Sequence, residues 1–252
     1  MSGWQIAAFL LCVGVATCVQ SITGFALVLV LLGLVGLFDL APLRDAVNVA
    51  TVLAVTNGAV ALRGSKNAVD WPMLRQTAVG TLAGVAGGVV LLAWLSANAV
   101  LALRVLLGLV VIACAVLVLR RAEPLPQRSS GLTFLTTGVV SGVLGGLFSA
   151  SGPPLVYQFY RQPLTLDAVR DTLVALLAAG SILRLAMVIP GGQFSAVSVE
   201  LSVLAVPVVA AVTWWMKRHP PSWERQTVLK LVCGLLVVTG VGLIAPAVQE
   251  LM

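Results

Sequence analysis

Residues 149–154 read Ser149-Ala150-Ser151-Gly152-Pro153-Pro154, and they stand in the middle of a run, Ser129 to Tyr160, that holds no charged side chain. Two consecutive prolines remove two backbone donors, and their rings clash with the preceding turn, so a helix entering this apolar run must break here. Upstream, Met1 to Phe38 is also uncharged, and it is longer than the roughly 20 residues that one membrane crossing needs. Its middle reads Gln20-Ser21-Ile22-Thr23-Gly24. That short polar stretch ending in glycine predicts a second break.

Working outward, the chain has 252 residues, of which 60% are apolar and 10% charged. A water-soluble fold of this composition lacks the polar surface to cover itself, so the natural solvent is a bilayer. The apolar runs are continuous rather than alternating, which implies an all-α integral membrane protein and not a barrel. The net charge of +6 lies in short clusters between apolar runs, a pattern of cytoplasmic anchors and not of a nucleic-acid surface. Cys12, Cys18, Cys114 and Cys233 all fall inside apolar runs without metal-site or disulfide spacing and read as packing residues. The N-terminus is apolar without a basic leader and reads as a first membrane segment rather than a signal peptide.

Three spans follow each broken segment: Ala46 to Leu62, Thr77 to Leu95 and Val100 to Leu119, then Leu166 to Pro190, Val197 to Met216 and Leu229 to Val248. Arg44-Asp45 after the first break echoes Arg170-Asp171 after the second. The expected organisation is a first repeat at 1–122, a cytoplasmic linker at 123–130 and a second repeat at 131–252. If each broken segment is a hairpin that enters and leaves on one face, all of the 15 Lys and Arg except Arg44, Arg104 and Arg184 fall on one side, as the positive-inside rule asks. The two halves then have opposite orientation, an inverted repeat of a re-entrant hairpin plus three transmembrane helices. Eight simple transmembrane helices are the alternative.

At the hairpin tips, Gln20, Ser21, Thr23, Ser149 and Ser151 offer polar groups, while Gly24 and Gly152 allow a ligand close to the backbone. Phe25 and Pro153 open the returning arms, whose helix N-termini would present amide donors and a positive dipole end to an anion. Arg184 interrupts an apolar span, a costly position that favours a water-filled cavity or a partner, with Asp171 and Glu200 as candidates. Asn48, Thr51 and Asn57 place polar groups along the corresponding first-half span, to line the same cavity or to bond between helices. Asp45 and Asp171 are the available titrating groups, unless they only cap their helices. Two glycine series, Gly80, Gly84, Gly87 and Gly88, then Gly138, Gly142, Gly145 and Gly146, have helix-packing spacing. Trp71, Trp94, Trp214, Trp215 and Trp223 read as interfacial anchors. No catalytic constellation, metal cluster or phosphate loop is present, so neither an enzyme nor a cofactor is implied.

The first break, Gln20 to Phe25, and the second, Gly142-Val143-Leu144-Gly145-Gly146 followed by Ser149 to Leu155, resemble the paired motifs of the sulfite exporter TauE/SafE family. Ser149-Ala150-Ser151 stands where a more glycine-rich stretch is usual in that family. The resemblance implies a multi-pass protein of the bacterial inner membrane that exports sulfite or other sulfur-containing organic anions, with the paired breaks as substrate site. A channel or facilitator without ion coupling is the alternative. The expected partners are a small anion and the lipid bilayer; whether copies associate into a homo-oligomer is open.

Overall fold

The computed structural model describes residues 3–23, 25–63, 69–98, 100–119 and 125–219, together with 230, 233, 234, 237, 240 and 241. Among these residues there are nine helices and no strand: α1 (Gly3–Thr23), α2 (Leu27–Leu37), α3 (Leu43–Leu62), α4 (Trp71–Asn98), α5 (Val100–Leu119), α6 (Gly131–Phe148), α7 (Gly152–Phe159), α8 (Leu166–Val188) and α9 (Ala196–Arg218). Six of them, α1, α3, α4, α6, α8 and α9, are long and apolar enough to cross a membrane. The chain is an all-α integral membrane protein. Five expected spans recur as α3, α4, α5, α8 and α9, with ends shifted by a turn or two where polar caps extend the helix. The sixth, Leu229 to Val248, and the anchor Trp223 lie outside the described residues apart from isolated positions.

Both breaks fall where the polar stretches predict. The returning arms are short: α2 has 11 residues and α7 has 8, so at 1.5 Å per residue they reach about 16 and 12 Å, about half of a hydrocarbon layer or less. The second segment is a hairpin and not a kinked crossing. Its two ends are tied together where Gln158 Nε2 and Gln162 Nε2 donate to Ser129 Oγ at 2.8 and 3.0 Å and Leu125 N donates to the Arg161 carbonyl at 2.8 Å.

The packing of the helices pairs up across the two halves. α4 runs along α6 and α9 along α1; α4 meets α8 and α9 meets α3; α3 and α8 meet each other. The tightest of these contacts is α4 on α6. A methyl group added at Gly80, Gly84 or Gly88 would strike the carbonyl of Leu135, Val139 or Val143, and one at Gly138, Gly142 or Gly146 would strike that of Thr77, Thr81 or Val85. Helices that meet in lipid gain from dispersion and not from leaving water, and glycine lets two backbones touch. The side chains outside these seams are apolar and exposed, with Trp71, Trp94, Trp214 and Trp215 near helix ends, and the Arg218 guanidinium lies 4.0 Å over the Trp214 ring.

Hydrogen bonds define the two ends of the bundle. At one end, Asp70 N donates to Thr172 Oγ1, and Asp70 Oδ1 accepts from Met73 N and from Arg128 Nη2 at 2.6 Å, while Lys217 Nζ caps the last carbonyls of α3 at Ala61 and Arg63. This end therefore gathers the starts of α4, α6 and α8 and the finishes of α3 and α9. At the opposite end, Asp45 of α3 accepts from Ser195 and Ser198 at the start of α9. Asp70→Ala removes the N-cap of α4 and a partly exposed ion pair, a loss of about 1 kcal/mol. In a chain of this size that lowers the thermal midpoint by roughly 2–4 °C, measurable as monodisperse protein left after heating in detergent.

Candidate functional site

Along α3, Asn48, Thr51, Ala54 and Gly58 follow at three- and four-residue spacing and share a face, with Asp45 and Asn57 flanking it on either side. α8 answers antiparallel with Val174, Leu177, Ala178, Ser181 and Arg184. Between these two faces lies a cavity that both helix breaks enter: Gln20, Phe25, Leu27 and Val28 from the first, and Ser149, Ala150, Ser151 and Gly152 from the second. The breaks touch directly, since a methyl group on Gly152 would lie 3.0 Å from Phe25 Cβ. The cavity encloses about 40 Å³, room for roughly three waters or one compact oxyanion.

Each break has its own local cause. At the first, Gln20 Oε1 accepts from Leu27 N at 2.9 Å and so caps α2 from the preceding helix. Gln20 Nε2 donates to Asn57 Oδ1 at 3.4 Å, and Asn57 Nδ2 to Thr213 Oγ1 at 2.9 Å. One polar chain thus links α1, α3 and α9 beside the cavity. At the second, Ser149 ends α6 in the left-handed region, φ 56° and ψ 19°, with its N–H on the Gly145 carbonyl. A residue with a side chain there costs on the order of 1–3 kcal/mol. The strain is kept at a serine whose hydroxyl is buried without a hydrogen-bond partner. In α7, Pro153 and Pro154 sit in the first turn, leaving few amide donors there, and the Ser151 side chain makes no capping bond.

One turn beyond the cavity, toward the Asp45 end, Arg184 is 1% exposed. Its Nε donates to the Gly146 carbonyl at 3.1 Å, and its Nη1 to Asn48 Oδ1 at 3.1 Å and Thr51 Oγ1 at 2.7 Å. Its Nη2 has no partner. Every acceptor around it is neutral, so the guanidinium is held by dipoles and no carboxylate among the described residues pairs with it. Asn48 continues the layer outward, donating through Nδ2 to the Gln193 carbonyl at 2.8 Å.

The family model of the sulfite exporter TauE/SafE family matches residues 9–243, a stretch that takes in both breaks and the cavity. The chain belongs to the TauE/SafE family. A relative from Cupriavidus necator, named "Probable sulfite/organosulfonate exporter TauE", is 34% identical over 236 residues, covering 94% of this chain and 92% of its own. No solved structure matches significantly. TauE/SafE proteins are membrane transporters, and this chain is a transporter and not an enzyme.

Within this TauE/SafE chain, the structure brings Gln20, Phe25, Asn57, Ser149, Ser151 and Gly152 together around one cavity. Ser21 instead bonds back to the Thr17 carbonyl of its own helix, and Pro153 is buried in the first turn of α7. Asn48 and Arg184 form the neighbouring layer rather than the cavity lining. Gly24 and the Thr23 side chain lie outside the described residues. Asp45 caps neither its own helix, which starts after Pro42, nor a cation; it holds the start of α9, while Thr165 caps α8. Ser181, which lines the cavity, went unread in the sequence. Its position three residues before Arg184 places it on the same helical face, and that spacing was the available signal.

Proposed function

We propose that this chain exports sulfite and small organosulfonates across the bacterial inner membrane, holding the anion in the cavity between the two helix breaks. What carries the reading is the meeting of both breaks in one cavity, largely apolar but with Gln20, Asn57, Ser149, Ser151 and Ser181 in its lining, and a buried arginine a turn away. Such a site binds an anion by directed dipoles without locking it in place with an adjacent fixed charge. The similarity to the Cupriavidus necator relative supports sulfur oxyanions as the cargo.

The paired packing of α4 with α6 and of α9 with α1 supports two related halves, 1–122 and 131–252, inverted about the cavity. Arg63, Arg75, Arg128, Arg161, Arg170, Lys217 and Arg218 belong to the end that gathers the starts of α4, α6 and α8, and by the positive-inside rule that end faces the cytoplasm. The Asp45 end then faces outward. Purified protein in liposomes is expected to carry sulfite, sulfoacetate, thiosulfate or taurine with saturable kinetics under imposed pH and sodium gradients. Absence of flux for every oxyanion would overturn the reading, and flux that never saturates would favour a channel.

A further inference from the structure

Between the cavity and the Asp45 end of the bundle stand two sets of bonds. Arg184 Nη1 holds Asn48 Oδ1, Asn48 Nδ2 holds the Gln193 carbonyl in the α8–α9 connection, and Asp45 holds Ser195 and Ser198 at the start of α9. The same arginine carries a donor to spare. Nη2 shares an edge of the planar guanidinium with Nε, whose partner is the Gly146 carbonyl, so the spare donor faces the last turn of α6. That turn ends in Ser149, a residue of the cavity lining whose buried hydroxyl is likewise without a partner. A charged donor with neutral partners and one vacant N–H is poised to exchange a neutral acceptor for a charged one, since hydrogen bonds to an ionised acceptor are about twice as strong.

We infer that Arg184 senses occupancy of the cavity and passes it to the outer gate through Asn48, a reading that rests on the anion site proposed above. An oxyanion seated beside Ser149 offers one oxygen to Ser149 Oγ and another to Arg184. The guanidinium swings toward it and releases Asn48, and the Asn48 bond to Gln193 loses its fixed anchor. The α8–α9 connection then opens. The device requires a ligand that is charged and has at least two acceptor oxygens, which makes Arg184 a specificity-determining residue: a neutral sulfone of the same shape enters without opening the gate.

Hydrogen exchange read by mass spectrometry on the purified full chain tests this, because the amides of Gly191, Gly192, Gln193, Ser198 and Val199 are all hydrogen-bonded in the closed gate. Saturating sulfite is expected to speed their exchange by about tenfold, and dimethyl sulfone is expected to leave it unchanged. Asn48→Ala is expected to bind sulfite, measured by calorimetry under anaerobic conditions, and to show fast exchange with or without it. If the wild-type chain binds sulfite and the gate amides do not respond, or respond equally to the sulfone, the sensing role is overturned while the transport site stands. If sulfite does not bind at all, both readings fall.

Discussion

Gly142→Leu is expected to abolish the folded transporter, while Gly87→Leu, three residues from the Gly84 that Gly142 packs on and on the same helix pair, leaves it intact. Gly142 packs backbone to backbone: a methyl group there would strike the Thr81 carbonyl and come within 2.9 Å of Gly84 Cα, and the neighbouring Gly146 stands to Gly88 in the same way at 2.7 Å. The obstacle is main chain on both sides and cannot rotate away. Overpacking a well-packed core typically costs 1–3 kcal/mol, and a leucine that must separate two helices along their full seam is expected to exceed about 3 kcal/mol, a large part of the 5–15 kcal/mol that a fold has to lose. A methyl group on Gly87 meets nothing within 4 Å. The yield of monodisperse protein after detergent extraction is expected to fall at least tenfold for Gly142→Leu and to match the wild type for Gly87→Leu.

Arg184→Met is expected to separate folding from transport. Replacing a buried charge by an apolar side chain of similar volume is often neutral for stability, because the desolvation cost of the charge disappears with it. The partners left behind are partly satisfied, since Thr51 Oγ1 still donates to the Val47 carbonyl and Asn48 Nδ2 to that of Gln193. The anion loses its one nearby cation. A charge-assisted hydrogen bond is worth about 1.5–3 kcal/mol, so sulfite flux in liposomes is expected to fall by roughly 10- to 100-fold at equal protein incorporation. Loss of the folded protein in step with loss of flux would assign Arg184 a structural role instead.

The breaks were legible because proline and short polar runs act on the backbone where they stand. Two adjacent prolines cannot both be accommodated inside a helix and fit its first turn instead, and α6 ends at Phe148 while Pro153 and Pro154 open α7. What the pattern of apolar residues could not give was length within a uniform run: α2 stops at Leu37 although nothing in its hydropathy differs from a full span. The role of each polar residue was equally hidden. Asn57 and Asn48 sit nine residues apart on α3, half a turn round the helix from each other, and one lines the cavity while the other bonds to the α8–α9 connection; which neighbour each would meet is set by where α8, α9 and the two breaks arrive. Ser149 shows both limits at once. Its place at the break was readable, but its left-handed backbone and its buried, unpartnered hydroxyl are tertiary outcomes.

The most direct test of the account is sulfite flux in liposomes through Ser181→Leu, compared with wild type at matched incorporation. Ser181 lines the cavity and is 9% exposed, and a leucine there projects into a space of about 40 Å³. The account predicts saturable flux for the wild type and its loss in a folded Ser181→Leu protein. Flux that is undiminished when the cavity is filled would contradict it.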